Sequence, residues 1–438
     1  MKKQVTKGLA ICFLLLFSAP IIFGLFMLGS AKAGSFVSPY ELVEKEFKER
    51  VDLASSSNME VFMKKSEDKK LLLSMMCANE SVNEQALSEL RDSVYGEAEG
   101  FGKFEIVKLT PLIRIYRIDI NGDKAVAYVE QFFMFKVRPR ENIRRIVKDL
   151  PKDWLVPVDE NGAWTSATQD FYTVIMVKTG DGWRIEKFIN SDSGGTEYSI
   201  KAGDLFAGCG IKGFPAPPEK GMPLPEEIRD ELFKSSTAYR HNKGSPLLPL
   251  STTQSPYRRT AANYADSHWN DNYSSTLPNS AGYLKFPDDC ANFVSQCLFE
   301  SGAWQLDWDN NGTVEDPNIP PYPAQEWHII KLTLNSSYSW CRADNQDYYV
   351  QNDIDYICGR NHSPYGWTEG YMDSALGDVI VLDRNNNGTA DHVGIVAAFD
   401  YYTGTPLVDA HNNNRYHVSW EGEHVLHGLR IDYEYDRF

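Results

Sequence analysis

Positive charge is in short supply. The chain carries 44 Lys and Arg against 60 Asp and Glu, a formal charge of −16, and its pI is near 5.1. That deficit excludes a protein that tracks nucleic-acid phosphates over a broad basic face, so no nucleic-acid partner is expected. Histidine is scarce as well, with 9 in 438 residues. Residues 65–200 have none and hold no clustered metal-ligand set, so binding or spacing is expected of that stretch rather than catalysis. The 7 cysteines include Cys12 in the N-terminal apolar run, which leaves Cys77, Cys209, Cys290, Cys297, Cys341 and Cys358. Cys341 with Cys358 is the most local pair, but spacing assigns no disulfide in so long a chain. Apolar residues are not lacking: at 42% they exclude disorder and a fibrous class, and the length points to two folded units.

Lys2, Lys3 and Lys7 precede an apolar run from Leu9 to Leu28, and Ala31-Lys32-Ala33 offers a small-x-small cleavage site before Gly34. Residues 1–33 therefore read as a signal peptide, or as a membrane anchor, since the run approaches spanning length. Either way the body is expected outside the cell, secreted or at its surface, with membrane contact only through this segment if it is uncleaved.

Residues 34–209 follow as an α+β accessory domain. Helical spacing runs over 38–64 and 81–94. Runs rich in β-branched and aromatic residues at 106–109, 113–118, 125–129, 132–137 and 171–177 read as an antiparallel sheet, with turn signals at Asn121-Gly122, Asn161-Gly162 and Gly180-Asp181-Gly182. The phrase from Gly182 to Phe188 resembles the last strand of small nuclear-transport-factor-like or cystatin-like modules. Eight of the 22 prolines lie between Pro215 and Pro256, which marks 210–256 as a Pro-rich linker with one short helix at Pro225–Phe233.

The remaining unit, 257–438, is organised around Cys290. Pro287, Asp288 and Asp289 supply a turn and an N-cap, and Cys290, Phe293, Val294, Cys297 and Leu298 share a helical face. A cysteine at the first helical position lies near unpaired N–H groups and the positive end of the helix dipole, which favours the thiolate. Cys297, two turns along, reads as core. Strands follow at 378–382, 392–397 and 406–411. His392 opens the second, and Asp409 and His411 alternate onto one face of the third, so either can orient an imidazole. A nucleophile helix, then a histidine strand, then a polar strand is the order of a cysteine hydrolase site.

Asp289-Cys290, Asn292-Phe293, Ser295-Gln296, Gly377-Asp378, Asp391-His392 and His411 through Tyr416 together resemble an amidase domain of exported Gram-positive proteins, related to NlpC-type and CHAP-type cell-wall hydrolases. The resemblance implies a papain-like domain that cleaves an amide or peptide bond, with a cell-wall peptide or amide linkage of peptidoglycan as substrate. It implies Cys290 as nucleophile, His392 as its imidazole and His411 as third residue, with Asp409 or Asn412 as alternatives. No cofactor is required. Two stretches carry part of a calcium loop: Asp307, Asp309 and Asn311 with Gly312, and Asp383, Asn385 and Asn387 with Gly388 and Asp391. Both lack the acidic twelfth residue, having Asn318 and Gly394 there, and Asx-rich turns explain them equally. A non-catalytic wall-binding adaptor with a relic hydrolase fold is the competing class, and it predicts an inert Cys290.

Overall fold

Ser38 accepts a hydrogen bond from the Glu41 N–H at 3.2 Å, and this cap starts helix α1, Pro39–Ala54. Asn58 does the same for α2, Met59–Met76, through the Val61 N–H at 3.0 Å. The single helical pattern of 38–64 is thus two helices, because the run Ser55–Asn58 ends one and caps the next. Helix α3 is Glu80–Tyr95. The computed structural model describes residues 38–95, 104–140, 150–190, 223–235, 256–271, 276–286, 289–302, 331, 336, 338–352, 366–384, 386–411, 414–420 and 425–431. The expected signal peptide or anchor at 1–33, the first calcium-loop pattern, Cys209, Cys358, Asn385, Asn412 and most of 210–256 lie outside them. No helix among the described residues is long and apolar enough to cross a membrane.

Strands β1 (Phe104–Asn121), β2 (Lys124–Pro139), β3 (Trp164–Thr179) and β4 (Gly182–Asn190) form an antiparallel meander. Gly122, at φ 66°, occupies the turn between β1 and β2, a backbone state most residues avoid. The separate runs expected at 106–109 and 113–118 are one strand whose register slips between Ile106 and Lys108 and between Ile115 and Arg117, so bulges bend it without ending it. Along β2 nearly every residue is buried, because both faces are covered. Phe133 and Phe135 pack with α1 to α3, while Phe132 and Met134 join the core of the C-terminal half.

That half supplies α4 (Glu226–Ser235), α5 (Pro256–His268), α6 (Cys290–Glu300), α7 (Tyr338–Cys341) and α8 (Ala343–Asn352). Its strands are β5 (Gly366–Glu369), β6 (Val379–Leu382), β7 (His392–Phe399), β8 (Pro406–Ala410), β9 (Asn414–Val418) and β10 (Val425–Ile431). All strands belong to one antiparallel sheet in the order β1-β2-β3-β9-β8-β7-β6-β10-β5, with β4 also on β3. One edge of β3 is split: Ala167, Thr168 and Gln169 pair with β9, and β4 takes over from Tyr172. The architecture is α+β, and the units expected on either side of 210–256 share a sheet. Helix α4, from within that Pro-rich stretch, sends Ile228 and Leu232 into the same core as Phe132 and Cys290.

Candidate active site

Helix α6 opens at Cys290, where the spacing puts it, but Asp289 is not a side-chain cap. Its carboxylate is used elsewhere. Oδ1 accepts the Phe286 N–H at 2.9 Å and the Asn292 amide at 2.7 Å, and Oδ2 meets His411 Nδ1 at 2.7 Å. Asn292 is fixed in turn by the Trp340 indole N–H, which donates to its Oδ1 at 2.8 Å. The other ring nitrogen of His411, Nε2, faces the His268 carbonyl at the end of α5 at 2.9 Å. Phe293, one turn into α6, stacks on the imidazole with centroids 4.0 Å apart. A carboxylate and a carbonyl thus lie against the two ring nitrogens. A chain of contacts from Trp340 through Asn292 and Asp289 therefore orients His411 along the first turn of the cysteine helix.

The other motif residues hold α6 in place. Gln296 Oε1 accepts from Tyr264 at 2.9 Å and from Asn279 at 3.1 Å, and Ser295 donates to the Trp340 carbonyl at 3.0 Å. Cys290 is buried, with 3% of its surface exposed. Cys297 is wholly buried in the same core, and burial, followed by the charge of Asp409, pushes its thiol well above the ordinary range, so it behaves as core. Cys77 and Cys297 are free thiols.

His392 is placed differently. It pairs with Leu382 across β6 and β7, and its ring lies 5.4 Å from that of Trp420. Leu382 and Trp420 belong to a cluster with Trp154 and Phe399, whereas the next residue, Val393, packs in the cluster that holds Cys290. Successive side chains of a strand point to opposite faces, so His392 is turned away from α6. Neither of its ring nitrogens has a hydrogen-bond partner among the described residues. Burial, reinforced by Arg384 and Arg415, holds it well below the usual histidine range and keeps it neutral. The structure thus brings Asp289 and His411 together at the start of the helix that Cys290 opens, and it places His392 on the opposite face of β7.

Asp409 is bonded elsewhere: its Oδ1 accepts the backbone N–H of His417 at 2.7 Å. In the second calcium-loop pattern, Asp383 Oδ1 accepts the Asn387 N–H at 3.0 Å and Oδ2 the Gly388 N–H at 2.6 Å. Both carboxylate oxygens thus close an Asx-type turn. Asp289 is the residue that sequence reasoning misread. Its adjacency to Cys290 was the available signal, and the N-cap preference of aspartate concealed it.

Residues 256–430 match the model of a family described as "Putative amidase domain". The uncharacterized protein YhbB of Bacillus subtilis (strain 168) is 30% identical over 157 residues, which are 35% of this chain and 40% of that relative. No solved structure matches the chain. The family match supports amide hydrolysis by the C-terminal segment.

Proposed function

We propose that residues 256–430 hydrolyse an amide or peptide bond through a thioester on Cys290, with His411 as its imidazole and Asp289 as the residue that holds the imidazole. The observation that carries this reading is the 2.7 Å contact between His411 Nδ1 and Asp289 Oδ2 at the start of the helix that Cys290 opens. A carboxylate against one nitrogen stabilises the imidazolium and leaves the other nitrogen to exchange the His268 carbonyl for the thiol. The Cys290 sulfur then attacks the carbonyl carbon, the C–N bond breaks as the imidazolium passes its proton to the leaving amine, and water cleaves the thioester to release the acid. Backbone N–H groups at the start of α6 suit the oxyanion. A cell-wall peptide linkage as substrate, a papain-like arrangement and export through residues 1–33 complete the proposal. They rest on the motif resemblance and on the N-terminal apolar run.

A second reading keeps His392 as the base and His411 as its orienting partner. It rests on the motif resemblance, and it requires the His392 ring, which has no hydrogen-bond partner among the described residues, to turn from the Trp420 side towards α6. Digestion of purified peptidoglycan, with new amino termini and acids counted by mass spectrometry, separates the possibilities. Loss of product in Cys290→Ala and His411→Ala, with His392→Ala near wild type, supports the first reading. Equal loss in His392→Ala supports the second. Undiminished product in Cys290→Ala sinks both, and no product from the wild-type protein leaves the adaptor class.

A further inference from the structure

Asp266 near the end of α5, Asp409 in β8 and His417 in β9 meet beneath the cysteine helix. One ligand atom of each lies within 4.8 Å of those of the other two. Their surfaces are 7%, 0% and 1% exposed. His417 Nε2 is 2.7 Å from Asp266 Oδ1, and the His417 N–H donates to Asp409 Oδ1. Asp409 Oδ2 is buried with no hydrogen-bond partner, and Asp409 forms no ion pair with Lys or Arg among the described residues. Two carboxylates thus face a single imidazole in a site closed to water. Even with the imidazole protonated, one negative charge is left over, which a dry interior tolerates only with a further positive charge or with a proton shared between the two carboxylates.

We propose that Asp266, Asp409 and His417 bind a divalent cation of the zinc class. Two carboxylate oxygens and one imidazole nitrogen match the donor types zinc takes, whereas calcium takes six to eight oxygens and does not select imidazole. The unpartnered Asp409 Oδ2 is the lone pair that such an ion would use. His417 holds a left-handed backbone at φ 51°, and its ring lies against Asp266. The cation is structural rather than reacting. It ties α5 to β8 and β9 two residues before His268, whose carbonyl faces His411, and it does not depend on which histidine serves Cys290.

Metal content of the full chain, purified without added metal or chelating resin, tests the site by mass spectrometry of the elements. About one equivalent of zinc or a similar ion per chain is expected, retained in Cys290→Ala and lost in Asp409→Asn and His417→Gln. Should those variants fail to fold, the wild-type protein still decides the matter: a chelator must lower its thermal midpoint and added zinc must restore it. Metal-free protein whose midpoint responds to neither reagent overturns the proposal, and the carboxylates then share a proton. Metal retained in folded Asp409→Asn and His417→Gln overturns it too.

Discussion

Asp289 spends both carboxylate oxygens on side-chain positioning, so its replacement separates orientation from chemistry. Asp289→Asn keeps the volume and one acceptor but removes the charge that balances an imidazolium. Under the Cys290–His411 reading, kcat should fall by about 10²- to 10⁴-fold, the range of a general acid–base contribution, with KM and far-UV circular dichroism near wild type. Alkylation rates of Cys290 measured against pH should shift with it, and an unchanged pH profile would sink the positioning role. The place of Cys290 at a helix start was legible because a turn and a helix face are local patterns, whereas strand alternation left Asp409 and His411 open and only the motif resemblance chose His411, as third residue. The role of Asp289 was not, since its partner lies 122 residues away. Far from this site, burial raises the Glu46 carboxyl to about 7 although Arg50 opposes it. Its folded pKa exceeds the unfolded one, so its neutral form contributes fully below about pH 4.5 and the contribution is lost as pH rises towards 7. The difference is about 3 kcal/mol by this linkage. Glu46→Gln should flatten the unfolding midpoint between pH 5 and 8, and a profile as steep as wild type would contradict this.

Strand β7 shows what an element can hide. Its apolar run reads as a buried strand, but the pattern does not say which face meets α6, and a shift of one residue exchanges the faces. Gly394 settles the packing: a Cβ there would lie 2.5 Å from Trp420 Cη2 and 2.5 Å from Val408 Cγ1. Bare backbone is needed for Trp420 to lie across the strand, on the side that also takes His392. Gly394→Ala should cost about 1–3 kcal/mol by overpacking, read as a lower denaturant midpoint with an unchanged slope. Pairing it with Trp420→Leu should recover part of the loss, and strictly additive effects would show that the two residues do not share the space. The helices were read more securely. Capping at Ser38 and Asn58 is local chemistry, whereas the division of 38–64 into two helices escaped the periodicity because short polar breaks do not disturb a count of apolar positions, and α7 and α8 were not read from it at all.

At the scale of the whole molecule, proline density marks 210–256 as a connection, yet the sheet crosses it. Composition reports local stiffness, whereas the pairing of Ala167–Gln169 with β9 is set by partners about 250 residues away and leaves no local signature. The seam is reinforced. Arg415 meets Asp170 at 2.9 Å, Asn414 donates to Gln169 at 2.9 Å, and Gln169 donates to Glu130 at 2.8 Å. Phe132 and Tyr416 both pack on Trp269, the first with centroids 6.3 Å apart and the second 5.3 Å. Residues 256–438 produced alone would therefore open the β9 edge and strip Leu112, Phe132, Met134, Ala167, Ile228 and Leu232 from the core that holds Cys290. That fragment should bind a hydrophobic dye, self-associate on gel filtration and lack the proposed amide hydrolysis. Co-expression with residues 38–235 should yield a one-to-one complex with the activity restored, because the missing edge and core return together. A monomeric, active 256–438 fragment with the unfolding midpoint of the full chain would instead make the shared sheet incidental to the catalytic half.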